Sequence, residues 1–256
     1  MRSMGSLPYG LRPFLLGGGQ VQPSDERGFR LVLPPARRRY ADAQVDDCKE
    51  RRRSEFRWSP PISLRLRAQA SHASPPGTLG FGFWNDPFGL SFAGVRRLPA
   101  APEAIWFFYG SPPNDFTFAE GGSGHGWKAA SLRSAAIPLA LLLPAAAAAF
   151  LSSRLPLVGP TVVRSVKSKV AGAEAILSTP LDEWHEYRLV WQLDAVQFEV
   201  DGELALDAPI TSRGPLGFVA WIDNQYAVLS ESRGIRFGVV PTEEPAWLEV
   251  ADLEIG

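Results

Sequence analysis

An all-β chain, folded as an antiparallel sandwich or jelly roll with a helical insertion, is the fold class the sequence predicts. Three observations carry it. In ISLRLRAQA, Ile62, Leu64, Leu66, Ala68 and Ala70 alternate with Ser63, Arg65, Arg67 and Gln69, the period-two pattern of a strand with one face in a core and one in water. In WHEYRLVWQLDAVQFEVDG, residues 184–202, Tyr187, Leu189 and Trp191 share a face, and Val196, Phe198 and Val200 follow a QLDA turn. Asp201-Gly202 then signals a hairpin. Gly, Pro and Asn recur between further short apolar runs, as an antiparallel sandwich requires.

From the N-terminus, residues 1–27 are rich in Gly, Pro and Ser and read as a flexible arm, so the sandwich domain is placed at 28–256. Its first strand is signalled by Phe29, Leu31 and Leu33 and stops at Pro34-Pro35. Basic clusters at Arg37–Arg39 and Arg51–Arg53 flank a short acidic stretch, and the clusters read as a solvated turn or edge in preference to a binding site. In TLGFGFWNDPFGLSF, Gly80 and Gly82 indicate a bulge or a close backbone approach, because glycine inside a strand otherwise costs stability. EAIWFFYG, residues 103–110, is a further strand. After the Asp201-Gly202 turn, a strict two-residue loop would put Leu204 and Leu206 on the side of Glu199 and Gln197. Either the turn is longer or both faces of the hairpin are covered.

The insertion is placed at about 128–180. No charge occurs between Arg133 and Arg154, and AAIPLALLLPAAAAAFL, residues 135–151, is broken by Pro138 and Pro144. Its length is at the lower edge for a spanning helix, and each proline removes a ladder hydrogen bond, so no span is expected. Beyond Pro160, Val162, Val166, Val170, Ala173 and Leu177 form one helical stripe, with Arg164, Lys167 and Lys169 away from it. Three readings stay open: a helical excursion packed on the sandwich, an oligomer contact, or a monotopic device meeting a membrane surface through residues 134–177.

Composition narrows the function classes. Among 256 residues, 45% are hydrophobic and eight are Trp, ample for a core and against disorder. Lys plus Arg number 26 against 27 Asp plus Glu, so no overall field recruits nucleic acid. Cys48 is the single cysteine, which excludes an internal disulfide and a Cys-rich zinc site. The first apolar run is too short for a signal-peptide core, so the expected location is cytoplasmic, or peripheral on the inner membrane face.

The spacing Trp184-His185-x-Tyr187-x3-Trp191-x4-Val196-x3-Val200-Asp201-Gly202 resembles a hairpin of the concanavalin A-like lectin/glucanase superfamily, above all glycoside hydrolase family 16. WLEVADLEI, residues 247–255, is similar to the last strand of that family, and TLGFGFWNDPF to its GLWPAFWL stretch. The resemblance covers roughly 56–120 and 181–256. It implies a concanavalin A-like antiparallel β-sandwich (jelly roll) with a helical insertion. In that family activity rests on E-x-D-x-x-E, and retaining hydrolysis needs two carboxyl groups about 5 to 5.5 Å apart. The corresponding strand here offers Glu103, Ile105 and Phe108 in one register, and Ala104, Trp106 and Tyr109 in the next. Neither supplies a carboxylate pair, and the motif occurs nowhere else in the chain.

The resemblance and the residues together lead to a non-hydrolytic binding protein for a glycan, glycolipid or other amphipathic ligand. The alternative is an enzyme on this scaffold, either a divergent hydrolase or a catalyst of different chemistry. The ligand-binding candidates are Trp84, Asn85, Asp86, Trp106, Tyr109, Trp221, Asp223, Asn224 and Tyr226, since Trp stacks on sugars while Asp and Asn bond hydroxyls. Aromatic rings that simply fill a core, and turn-forming Asn and Asp, are the competing descriptions of the same residues. If chemistry survives, Asp86, Asp223 and His125 are the first groups to test. His72 reads as a turn residue and His185 as a structural hairpin residue. The three histidines and one cysteine show no zinc spacing, and no cofactor is expected. A rim calcium would fit the superfamily, but no calcium loop is visible.

Overall fold

A computed structural model describes residues 7–24, 26–87, 97–119, 122–135, 148–153, 155 and 158–256. Two seven-stranded antiparallel sheets pack face to face. The first runs, in spatial order, β1 (Arg12–Leu16), β4 (Asp42–Asp46), β13 (Gly217–Asp223), β6 (Thr78–Trp84), β7 (Glu103–Gly110), β8 (Gly126–Ser134) and β9 (Val170–Ile176). The second runs β12 (Glu203–Ala208), β11 (Val196–Val200), β10 (His185–Trp191), β5 (Ile62–Ala70), β16 (Ala246–Ile255), β3 (Gly28–Leu33) and β2 (Gln20–Pro23). A separate ribbon, β14 (Gln225–Ser230) with β15 (Gly234–Val239), and helix α1 (Gly159–Lys167) complete the regular elements, with a helical turn at 148–152.

The core between the sheets is built by the alternating residues that the sequence marks. Leu64, Leu66, Ala68 and Ala70 of β5, Tyr187, Leu189 and Trp191 of β10, and Val196, Phe198 and Val200 of β11 are all buried in it. They meet Leu79, Phe81 and Phe83 of β6 and Ile105, Phe107 and Tyr109 of β7. Phe107 sits edge-on to Phe198 at 5.3 Å and to Tyr187 at 5.0 Å, the geometry that ring quadrupoles favour. A register shift between Phe198 and Glu199 resolves the hairpin puzzle. Leu206 pairs with Phe198 and Leu204 with Glu199, so the bulge carries Leu204 out to the surface, where it is 60% exposed.

Three sequence expectations are corrected. The arm expected at 1–27 is part of the sandwich from residue 12, because β1 pairs with β4 and β2 with β3, each adding an edge strand to a different sheet. The basic clusters do lie at the surface, but the turn or edge expected around them does not extend over the acidic stretch between them, which is β4, buried along its whole length. The insertion is shorter than 128–180: residues 126–134 and 170–176 are paired strands, and the helix stops at Lys167. Val170, Ala173 and Leu177 therefore leave the helical stripe. At Gly172 a Cβ would meet the Cβ of Phe118 at 2.8 Å, so this edge strand lies against the loop that follows β7. Residues 136–147, most of the apolar run, lie outside the described residues. Among those that are described, no helix is long and apolar enough to cross a membrane.

Candidate functional site: an apolar cavity on the outer face of the first sheet

Strands β4, β6 and β13 are buried at every position, which an exposed sheet face cannot produce. Their outer side is covered, and the cover differs from one end to the other. β7 pairs with β6 and β8 in unbroken register, so alternation alone assigns its faces. Ile105, Phe107 and Tyr109 point into the sandwich, while Ala104, Trp106 and Phe108 point outward. Neither register of the resembled motif, Glu103, Ile105 and Phe108 or Ala104, Trp106 and Tyr109, therefore puts two carboxyl groups on one face of the strand. Glu103 falls on the sandwich side and accepts a hydrogen bond from Ser212 Oγ.

Around these residues stands a second apolar cluster of Cys48, Phe56, Trp84, Ala104, Phe108, Val219 and Trp221, with Trp106 packed against it. Trp106 stacks on Phe108 at 5.6 Å and lies 5.2 Å from Trp221. The two interior glycines of β6 make this possible. A Cβ at Gly80 would come within 2.7 Å of the Trp221 ring, and one at Gly82 within 2.7 Å of Trp106 Cβ. Close approach is therefore the reason for glycine here.

Beside the cluster a cavity of about 300 Å³ remains. Trp84, Ala104, Trp106 and Leu132 of the sheet form its floor. Phe116 and Phe118, the turn residues Ala149 and Phe150, Val166 of α1, and Val228, Leu229, Ile235 and Phe237 of the ribbon form its walls. Phe150 stacks on Phe237 at 6.4 Å. The loop carrying Phe116 and Phe118 is fixed by a buried ion pair. Lys128 Nζ donates to Glu174 at 2.9 Å and to the carbonyls of Phe116 and Ser123, while Glu174 accepts from Thr117 Oγ1 and the Phe118 amide. All three ammonium protons are thereby used. Among the described residues that line the cavity, the indole N–H of Trp84 is buried without a hydrogen-bond acceptor.

The structure places the sequence candidates unevenly. Trp84 and Trp106 line the cavity, and Trp221 supports its floor, 8% exposed, with its N–H donated to Thr78 Oγ1 at 3.0 Å. Tyr109 lies in the sandwich core. Asp86 is fully buried and ion-paired with Arg97 at 2.6 Å, while Arg97 also caps the carbonyls of Cys48 and Arg51. Asn85 Nδ2 donates to the Ala101 carbonyl at 2.7 Å. Asn224 is buried, accepting from the Ala41 amide and donating to the carbonyls of Arg39 and Val240. Tyr226 belongs to the ribbon, its ring lying over Gly238. His125 is exposed at the start of β8. Asp86, Asn85 and Asn224 are thus structural ties, and Asp86, Asp223 and His125 do not converge on one place.

Asp223 has a partner that the sequence did not suggest. It sits directly across from Asp42 on the outer face of the first sheet. Thr78 Oγ1 donates to Asp223 Oδ1 at 2.7 Å and Tyr40 hydroxyl to Oδ2 at 3.2 Å, while Asp42 Oδ1 is buried without a partner. Burial holds the Asp223 carboxyl up at about 6. Burial and then the neighbouring Asp223 charge push Asp42 up as well. Both residues are 2% exposed, so this acid pair is shut off from a substrate. Among the described residues no group of three or more His, Cys, Asp or Glu side chains is placed to hold a metal ion.

No family model matches the chain, and no curated protein matches its sequence. Solved structures do. A glycoside hydrolase family protein from Mycobacterium thermorestibile aligns over 95% of this chain and 92% of its own, at 12% identity and a TM-score of 0.50. A legume lectin-like domain from Entamoeba histolytica aligns over 93% and 87%, at 8% identity and 0.49. The chain spans 17% of the length of a sialidase and 53% of an endo-β-galactosidase from Clostridium perfringens that it also matches. At such identities the likeness concerns architecture and carries no activity across. The protein has the concanavalin A-like jelly-roll fold.

Proposed function

We propose that this protein is a non-hydrolytic binding protein for an amphipathic ligand, a glycolipid or a molecule built like one, whose apolar body occupies the cavity over Trp84 and Trp106. The observation that carries the reading is the coincidence of two facts at one place. In neither register of the resembled motif does the strand supply a carboxylate pair, and beside its outward-facing Ala104, Trp106 and Phe108 is an apolar space of about 300 Å³. That volume is at the lower end for small-molecule sites, which are mostly apolar with a few polar groups that orient the ligand. The unpartnered Trp84 N–H supplies one such group, a donor for a ligand oxygen. A free glycan fits less well, because Phe108 and Trp221 are 9% and 8% exposed and offer no open ring face for a sugar.

Calorimetric titration with n-octyl β-D-glucoside, kept below its micelle concentration, tests the reading. Saturable one-site binding is expected. Each methylene buried contributes about 0.8 kcal/mol, so the hexyl glucoside should bind roughly tenfold more weakly. Leu132→Glu, which puts a charge on the cavity floor, should abolish binding. Laminarin, agarose and lichenan should release no reducing ends. Release of reducing ends, lost in Asp223→Ala, with no binding of the octyl glucoside, would replace this reading by the enzymatic one.

A further inference from the structure

The cavity opens beside a surface unlike the rest of the molecule. Leu151, Leu155, Val158 and Phe237 are 67%, 53%, 44% and 63% exposed. Phe237 is itself a cavity wall, and Leu155 borders an adjoining surface groove with Pro160, Arg233 and Arg236. Through Phe237, and through Leu151 next in sequence to the wall residue Phe150, the apolar lining of the cavity reaches the protein surface. Single exposed apolar residues are ordinary, but a group of them around a cavity rim marks an interaction site.

Charge identifies the partner. The described segments that build this rim, 148–153, 158–169 and 225–239, include Arg164, Lys167, Lys169, Arg233 and Arg236 against Glu231, with Asp115 of the neighbouring loop beside Arg233, in a chain whose formal net charge is −1. Arg164 is held by Glu231 and Arg233 by Asp115. Lys167, Lys169 and Arg236 have no carboxylate within salt-bridge distance among the described residues. Lys167 also lies close enough to Asp115 and Glu231 to help Arg233 and Arg164 hold their carboxyls down, so the surface carries an excess of basic over acidic side chains. Exposed apolar side chains within such a basic excess suit the boundary between lipid headgroups and acyl chains, where the cations meet anionic headgroups and the apolar groups enter the chain region.

We infer that the rim formed by α1, the 148–152 turn and the β14–β15 ribbon docks on an anionic lipid bilayer, and that the cavity receives its ligand from that bilayer. The inference rests on the cavity reading above and adds a source for the ligand. A protein taking an amphiphile from solution needs no apolar rim, whereas one taking it from a bilayer needs a continuous apolar path from acyl chain to cavity.

Flotation of the full chain with phosphatidylcholine vesicles, with and without phosphatidylserine, tests it, alongside the octyl glucoside titration. The chain should float with the phosphatidylserine vesicles only and should detach at high salt. Lys167→Glu/Lys169→Glu should weaken vesicle binding by at least about tenfold, and Leu151→Asp/Leu155→Asp should weaken it independently. Both variants should keep wild-type affinity for octyl glucoside, which also shows that they fold. Octyl glucoside binding without flotation would overturn the docking inference and leave the cavity reading standing. Flotation unchanged by both variants, or equal on phosphatidylcholine alone, would overturn it too. Failure of the wild-type chain to bind octyl glucoside would instead remove the reading beneath.

Discussion

The outer face of the first sheet has two ends, and they are built oppositely. At one end, Ala104, Trp106 and Leu132 face a cavity of about 300 Å³ that holds no carboxylate side chain opposite another. At the other, Asp42 and Asp223 stand side by side with Tyr40 and Thr78, each acid 2% exposed. The cavity has Glu103 at its edge, held by Ser212 Oγ and facing no second acid, whereas the paired acids stand where there is no space. Hydrolysis needs space and paired acids at one place, with carboxyl groups facing the bond to be broken. Binding needs only the first.

Asp86, which the sequence offers as a catalytic candidate, lies in a buried ion pair with Arg97. Asp86→Ala leaves Arg97 uncompensated, 3% exposed, and should cost about 3–5 kcal/mol in urea unfolding. If stability is unchanged and an activity disappears, Asp86 belongs to a working site after all.

The acid end predicts a pH dependence of definite sign. A carboxyl whose folded pKa lies above its unfolded value favours the fold while protonated and loses that contribution as pH rises. For Asp223 the loss should run from about pH 4 up through about pH 6. Asp42→Asn removes a buried carboxyl whose charge is disfavoured by burial and by Asp223, so the variant should be more stable than wild type at pH 8 and change less between pH 4 and 8. An unchanged pH profile would mean that the two carboxyls do not sense each other.

The smallest effect concerns packing on the two faces of the sheet. Ala129→Leu overfills the sandwich core and should cost about 1–3 kcal/mol, whereas Ala104→Leu enters the cavity and should be close to neutral for folding while blocking octyl glucoside. Equal costs at the two positions would mean that the cavity is not available space.

Much of this architecture could be read from the residues. Alternation in β5, β10 and β11 marked strand, face and core because each covers one face with water and one with the partner sheet. The glycines of β6 marked the close approach that lets Trp221 and Trp106 lie over them. β4 escaped because DAQVD has a polar outer set that is nevertheless buried, so hydrophobic alternation does not report its burial. β1 and β2 escaped because Gly and Pro near an N-terminus look the same in an edge strand as in a loose arm. Trp84 and Trp106, ligand-binding candidates in the sequence, both line the cavity. The walls that close over them were not legible, since Phe116, Phe150, Val166 and Phe237 come from four separate segments joined only by long-range packing. The partnership of Asp42 with Asp223 depended likewise on a pairing across 181 positions of sequence.

The most direct test is a crystal structure of the protein with n-octyl β-D-glucoside. The account predicts the alkyl chain between the floor of Trp84 and Trp106 and the wall of Phe150 and Phe237, with a ligand oxygen accepting the Trp84 indole N–H. A glucose ring seated instead against Asp42 and Asp223, with either carboxylate in contact with the glycosidic oxygen or the anomeric carbon, would contradict it.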